Sequence, residues 1–353
     1  MKEIESVMKI LSIESSCDET AAAIIEDGRC ILANQVYTQI AIHRKYGGVV
    51  PEIASRNHVM KMPYVVQDAL DEAQLTFDDL DAIAVTKGPG LVGALLVGVS
   101  EAKALAYALD KPLIGVNHIE GHIAANYLAF PELEPPFLAL IVSGGHTNLV
   151  IVKDYGTNII LGRTRDDAAG EAFDKVARVL GYPYPGGPAI DQAAQIGDAQ
   201  AIDFPRVMLE KDSYDFSFSG LKSAVLNELN HRKMKNIPYK KEDVAASFQA
   251  AVLDVLTEKT IRCAEAYGMK KIVIAGGVSA NKGLRTRMDV AAKQHNWALY
   301  YPPLSLCTDN AAMIGARAYY DFKLGRTSSW DLNAVPGLEL PGLDRNAELN
   351  LNK

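Results

Sequence analysis

Cysteine is scarce in this chain, and what there is lies scattered. Cys17, Cys30, Cys263 and Cys307 are spread over 353 residues with no Cys-x-x-Cys spacing. That pattern excludes a disulfide framework and a cysteine zinc cluster, and fits a reducing cytoplasm. Long uninterrupted apolar runs are missing too, because Gly, Lys or Asp break them, so no membrane span is expected. The opening MKEIESVMKI carries acids and has no apolar core of signal length. Positive charge is also short: 36 Lys and Arg against 43 Asp and Glu give a net charge of -7. Bulk electrostatics will not hold a polyanion strongly, so a nucleic-acid substrate would need a local patch, a partner or a metal. What remains is a globular composition, 48% hydrophobic and 22% charged, on a chain long enough for two lobes.

Against that background one short stretch stands out: Asn117-His118-Ile119-Glu120-Gly121-His122. It follows an apolar run, Pro112 to Val116, and precedes a helical segment, Ile123 to Leu128. With Asn117 as N-cap, His118 and His122 are an i, i+4 pair on one helical face. Two neutral imidazoles there are half of a transition-metal site. The plainer alternative is one packed and one solvated histidine. The zinc-peptidase signatures, with Glu beside the first or second His, are absent. Glu120 is two residues from each histidine, about 200° around the helix from His118, and cannot serve a water on that ion.

The rest of the chain alternates strands and helices, with one pattern occurring twice. Lys9–Glu14, Ala21–Ile25 and Cys30–Tyr37 read as strand, strand, strand with polar turns between them; Phe137–Val142, Leu149–Val152 and Asn158–Gly162 repeat the order. This predicts two lobes that each open with a β-meander, with small residues in the first turn able to close backbone N–H groups on a phosphate. Between them lie a helix over Asn57–Ala73, a strand over Asp81–Thr86, and a helix over Leu91–Leu109 that is apolar on all sides and therefore expected to be buried. Gly93 and Gly98 in that helix indicate close packing. Further on, Glu171–Gly181 is a helix, Tyr182–Pro188 an ordered loop, and Asp191 falls on a new helix. Helices follow over Phe248–Tyr267 and Lys282–Lys293, with a strand-Gly276-Gly277-helix junction between them, a ligand position in open α/β sheets. Asp309 reads as an N-cap or first-turn acid of the helix Ala311–Lys323, and also as the obvious third ligand for the histidine pair. The basic run His231–Lys235 with Lys240-Lys241 either touches RNA phosphates or is a solvated inter-helix loop; the loop is favoured because Glu242-Asp243 follows at once. The stretch after Gly325 is expected only to wrap the surface.

Taken together and in order, IESSCDET, GPGLVGALLVG, NHIEGH, VSGGHT, GEAFDK, YPGGPAID, FSFSGLKSA, AGGVSAN and CTDNAAMIG make a specific pattern. From about Lys9 to Lys323 the chain resembles the tRNA threonylcarbamoyladenosine transferase family, the TsaD/Gcp/Kae group. His146 in VSGGHT matches its bacterial form, and Asn148 stands where many relatives have Gln. The resemblance implies an α/β, actin-like ATPase fold with two ribonuclease-H-like lobes around a nucleotide cleft. It divides the chain into residues 1–134, residues 135–325 with a helical insertion at about 163–245, and a tail at 326–353. It implies one divalent ion, iron ahead of zinc, on His118, His122 and Asp309, a site joining the first lobe to the second. It also implies that Val142, Ser143, Gly144, Gly145 and His146 line the ligand. Asp174, Gly187 and Asp191 then hold the ribose side, and Asn281 with Gly276 and Gly277 the adenine side.

The implied reaction moves a threonylcarbamoyl group from its adenylate to N6 of the adenosine 3′ of the anticodon, in tRNAs reading codons that begin with A. Ser143 and its neighbouring amides would steady the leaving phosphate, and His146 is the candidate base. ATP, ADP or AMP would fit the same adenylate site. The implied partners are tRNA, a TsaB-type paralogue and a TsaE-type P-loop ATPase, with a homodimer when the paralogue is missing. Three rivals rank below this reading: an actin-fold ATPase or kinase, a metallopeptidase and a non-catalytic scaffold.

Overall fold

The computed structural model of the chain describes residues 7–208, 210 and 213–344. Strands β1 (Lys9–Glu14), β2 (Glu19–Glu26) and β3 (Cys30–Thr38) come first. They are followed by α1 (Ile40–His43), α2 (Pro51–Ala73), β4 (Ala82–Gly88), α3 (Val92–Leu109), β5 (Leu113–Asn117) and α4 (His118–Ala129). The meander then recurs as β6 (Phe137–Val142), β7 (Thr147–Asp154) and β8 (Thr157–Arg163). After it come α5 (Ala169–Leu180), α6 (Gly186–Ala194), α7 (Ser219–Lys235), α8 (Lys241–Ala266), β9 (Lys271–Ala275), α9 (Lys282–His295) and β10 (Ala298–Tyr300). The described chain closes with α10 (Leu304–Cys307), α11 (Ala311–Lys323) and β11 (Leu343–Asp344).

Two sheets result, and their topologies correspond. The first has order β3-β2-β1-β4-β5, antiparallel through the meander and parallel from β1 to β4 to β5. The second has order β10-β9-β6-β7-β8-β11, again antiparallel through its meander and parallel from β6 to β9 to β10. Read from the meander outward the two orders match, so the repeat in the sequence is a repeat of topology. Both central strands are mostly apolar because both faces are covered, although Ser12 and Glu14 interrupt the run in β1. Along β1, Leu11 and Ile13 face a core shared with α2 and α3, while Ile10 faces one shared with α11. Ser12, on the Ile10 side, donates its hydroxyl proton to the carbonyl of Ala311 at 2.7 Å.

Two compact units divide the chain: Met1–Glu134 with Pro303–Pro341, and Pro135–Pro302 with Gly342–Lys353. The division differs from the boundaries read from the sequence. Residues 303–325 return to the first unit because α11 packs its apolar face (Ala311, Ala312, Ile314, Ala318) into the core under β1 and β2. The stretch after Gly325 does more than wrap. Val335 N donates to the carbonyl of Lys87, Ser328 N to that of Leu113, and β11 adds a parallel strand beside β8. Residues 345–353 of the expected tail lie outside the described residues.

Several local expectations shift. Helix α2 starts at Pro51 rather than Asn57, with proline in its first turn, where a missing N–H costs nothing. The basic run His231–Lys235 is the last turn of α7, not a loop, and its cations face the negative end of the helix dipole. Helix α3 buries one face (Ala94, Leu95, Gly98, Val99, Ala102, Ala106) and leaves Val92, Leu96 and Tyr107 exposed, so it is not buried all round. It is also the one described helix long and apolar enough to cross a bilayer, although here its buried face belongs to a packed core. Gly93 and Gly98 do mark close packing: a Cβ on Gly98 would lie 2.4 Å from Ser15 Oγ, and one on Gly93 3.2 Å from Ser55 Cβ.

Candidate metal centre and candidate ligand turns

The carboxyl end of β5 delivers Asn117, whose side-chain oxygen accepts from Ile119 N at 2.9 Å and caps α4. The same side chain donates from Nδ2 to the carbonyl of Glu339 at 2.9 Å, so the returning segment also pins the cap. His118 and His122 then lie one turn apart with ring centroids separated by 4.7 Å. Asp309 Oδ1 is 3.4 Å from His118 Nε2 and 3.2 Å from His122 Nε2. Asp309 is neither N-cap nor first-turn acid of α11. Asn310 takes the cap, accepting from Met313 N at 3.1 Å, and leaves the aspartate free to face the imidazoles. Gly121 makes the approach possible, since a Cβ there would sit 2.8 Å from Ile314 Cδ1 on α11.

All three residues belong to the first unit, so this cluster is not shared between two lobes. Its ligand atoms lie within 4.8 Å of one another. His122 is buried, and neither ring nitrogen has a hydrogen-bond partner among the described residues. Its Nε2 is near Asp309, but outside hydrogen-bonding geometry. Leaving both nitrogens of a buried imidazole unpaired is costly unless something binds there. Two imidazoles and one carboxylate are a donor set suited to iron or zinc, so the residues fit a divalent ion.

A fourth residue, which the sequence reading missed, completes the surroundings. Glu14, at the end of β1, places Oε2 3.0 Å from His118 Nδ1. The carboxylate also accepts from Thr86 Oγ1 and from Ser16 N, each at 2.5 Å. Burial pushes its pKa up, but His118 beside it overrides that and holds it below the usual range. His118 itself is pushed well up despite burial, by Asp309 and Glu14 on its two sides. Burial likewise opposes ionisation of Asp309, and the two histidines win, holding its carboxyl far below the usual range. An acceptor on Nδ1 fixes the tautomer that presents Nε2 toward Asp309, the usual companion of a metal-bound histidine. Glu120 turns away and pairs with Arg317 at 3.3 Å, which removes the residue a peptidase would need.

The remaining expected residues lie in the second unit, with Ser143 to His146 following β6, Gly276, Gly277 and Asn281 following β9, and Asp174, Gly187 and Asp191 on α5 and α6. Ser143 N donates to the carbonyl of His146 at 2.9 Å, closing the turn through Gly144 and Gly145. Those two glycines are exposed, and a Cβ on either would meet nothing within 4 Å; packing does not require them, and the space beside them is open. Gly276 is different. Its φ is +88°, and a Cβ would lie 2.5 Å from the carbonyl of Val142, so the two strand ends touch backbone to backbone. Gly277 beside it faces open space. Asp174 Oδ1 accepts from Gly186 N at 2.7 Å. Gly187 sits in the first turn of α6, which begins at Gly186, inside what the sequence suggested was still loop.

Asp191 and Asn281 are brought together by Gln249, which nothing in the sequence had singled out. Gln249 donates from Nε2 to Asp191 Oδ1 at 3.1 Å and accepts from Asn281 Nδ2 at 2.8 Å. The other oxygen of Asp191 accepts from Lys282 N at 3.1 Å, and Asn281 Oδ1 caps α9 through Leu284 N at 2.8 Å. The three side chains are a buried, fully engaged row whose polar edges are held in one orientation.

The chain is similar to known proteins over most of its length. A family model described as TsaD, tRNA N6-adenosine threonylcarbamoyltransferase, matches residues 30–316. A tRNA N6-adenosine threonylcarbamoyltransferase from Clostridioides difficile is 59% identical over 330 residues, 94% of this chain and 98% of the relative. One from Moorella thermoacetica is 57% identical over 340 residues, 96% and 99% of the two chains. Among solved structures, HypF from T. kodakarensis aligns with TM-score 0.62 and 14% identity over 93% of this chain and 51% of that one. Component A of the Acidaminococcus fermentans (R)-2-hydroxyglutaryl-CoA dehydratase aligns with TM-score 0.52 and 15% identity over 90% and 98%. These structural likenesses concern the fold, which is the actin-like α/β architecture that the resemblance implied.

Proposed function

This chain belongs to the TsaD family of tRNA N6-adenosine threonylcarbamoyltransferases, and from that membership we propose the substrates and residue roles of its reaction. It is a tRNA-modifying transferase. The donor is threonylcarbamoyl-adenylate. The acceptor is N6 of the adenosine 3′ of the anticodon in tRNAs reading codons that begin with A. The amine attacks the carbamoyl carbon, the bond from that carbon to the phosphate oxygen breaks, and AMP leaves with the electron pair. The near-full-length likeness to curated transferases carries this reading.

The site chemistry supports it. A divalent ion held by His118, His122 and Asp309, iron ahead of zinc, would supply a Lewis acid and a template. Glu14 keeps His118 in the tautomer that can ligate. The backbone N–H groups around Ser143, Gly144 and Gly145 stabilise charge on the departing phosphate, with open space beside the glycines for it. Asp174, Gly187 and Asp191 face the ribose, and Asn281 with Gly276 and Gly277 the adenine. His146 takes the proton from N6. The same pocket would accept ATP, ADP or AMP. With a net charge of -7, basic surface for tRNA is shared with a TsaB-type paralogue, and a TsaE-type ATPase joins the complex; a homodimer substitutes when the paralogue is missing.

The test is nucleoside mass spectrometry on tRNA from cells depleted of this protein, rescued with wild type or with His118→Ala. Loss of threonylcarbamoyladenosine that only wild type restores is the expected result. Persistence of the nucleoside after depletion would overturn the substrate assignment, and full rescue by His118→Ala would overturn the metal site.

A further inference from the structure

His58 lies on α2, fully buried, and its two ring nitrogens are both engaged. Nε2 is 3.0 Å from the carbonyl of Cys17, and Nδ1 is 2.8 Å from Thr20 Oγ1. A carbonyl only accepts, so Nε2 carries the proton and Nδ1 accepts the threonine hydroxyl. The ring is thus a neutral brace between the start of β2 and the turn 15–18, and burial pushes its pKa down, which keeps it neutral.

That turn touches the ligand cluster. Ser16 N donates to Glu14 Oε1, and Ser16 Oγ is 3.3 Å from His118 Nδ1. The opposite side of the turn is fixed by α3 and the residues before it: Leu91 N donates to the carbonyl of Ser16 at 2.8 Å, and Ser15 Oγ donates to the carbonyl of Ala94 at 2.9 Å. Gly90 lets that side close, since a Cβ there would lie 2.6 Å from the Ser16 carbonyl. His58 is the brace from the α2 side. Cys17, whose carbonyl it holds, is the residue after Ser16.

We propose that His58 is a positioning residue for the metal centre: by gripping the Cys17 carbonyl it sets the turn whose Ser16 fixes Glu14 and, through Glu14, the tautomer and orientation of His118. A histidine that merely filled the core would have no directional tie to this turn. The inference rests on the reading of His118, His122 and Asp309 as ligands.

The experiment measures Co2+ and Zn2+ binding to the full-length protein by chelator competition, with the Co2+ d–d absorption spectrum and the thermal midpoint of the same samples. His58→Ala should weaken binding about tenfold, the scale of outer-shell partners of ligating histidines, and shift the d–d bands. His58→Gln, whose amide can still donate to Cys17, should recover most of the affinity. Thr20→Val removes one hydrogen bond without changing volume and should cost about fivefold, which decides the matter if His58→Ala does not fold. Wild-type affinity and an unchanged d–d spectrum in variants with a lowered thermal midpoint would make His58 a core residue and nothing more. His118→Ala separates the two readings. If it retains the metal, the ligand assignment fails; if it loses the metal while His58→Ala and Thr20→Val keep it, only the brace fails.

Discussion

Glu14 and His118 are 104 positions apart in sequence and 3.0 Å apart in space, a buried carboxylate against the Nδ1 of an imidazole. The contact determines which nitrogen of His118 faces Asp309. Glu14→Gln should therefore weaken metal binding by about 10- to 100-fold while leaving the three ligand residues in place. Competition with a chromogenic chelator reads the change directly. A Glu14→Gln protein that binds the ion as tightly as wild type would show that the carboxylate serves only the fold.

Glu120 sits between the two histidines in sequence, yet its carboxylate is 3.3 Å from Arg317, which is also held by Asp321 at 2.6 Å. Glu120→Gln should leave metal affinity and transfer rate near wild type. It should lower stability by about 1.5 to 3 kcal/mol, the range for a hydrogen bond to a charged group. Parallel measurement of modified tRNA and of the urea midpoint separates the two effects. A variant that loses activity with an unchanged midpoint would return Glu120 to the chemistry and reopen the peptidase reading.

Gln249 binds Asp191 and Asn281 at the same time, from residues 58 and 32 positions away. Gln249→Leu is close in size and leaves Asp191 Oδ1 and Asn281 Nδ2 without their partner. The expected result is weaker AMP binding by titration calorimetry, by about 5- to 100-fold, because unsatisfied buried polar groups cost about 1 to 3 kcal/mol each and the two side chains lose their orientation. Unchanged AMP affinity with a lower thermal midpoint would remove Asp191 and Asn281 from the adenylate pocket.

The residues that were legible and those that were not differ in a physical way. His118 and His122 show themselves because helical spacing is local: four residues always bring two side chains onto one face. The central strands show themselves because covering both faces of a sheet demands apolar runs such as FLALIV in β6. The start of α2 hid behind Glu52, Ser55 and Arg56, which are polar because the first turns face water. Glu14 and Gln249 had no local signature, since each acts on a partner that only the folded chain brings near. Asp309 was legible as a third ligand from its residue type, though its place just before the α11 cap was not, and the return of residues 303–341 to the first unit was not legible at all. That return follows from α11 finding its apolar partners under β1 and β2.

Lys259 gives a pH dependence that is independent of the metal centre. Its ammonium is fully buried and donates to the carbonyls of Met208 and Ser213 at 2.8 and 2.9 Å. Burial is the largest influence and pushes its pKa down from 10.5 to about 8. The folded protein thus binds this proton less tightly than the unfolded chain does. Below about pH 8 both states carry the proton and the cost of burying the charge is fully present. Between about pH 8 and 10.5 the unfolded chain holds more protons, so stability rises with pH. Lys259→Met should abolish that rise. Chemical denaturation at pH 7 and pH 9.5 should show wild type gaining about 1 to 3 kcal/mol relative to the variant, since a tenfold difference in proton affinity is worth about 1.4 kcal/mol. Comparing the change across pH cancels the cost of the two carbonyls that the methionine leaves unpaired, because that cost is the same at both values. Parallel profiles for the two proteins would mean that Lys259 keeps an ordinary pKa and that its two carbonyl partners offset its burial in full.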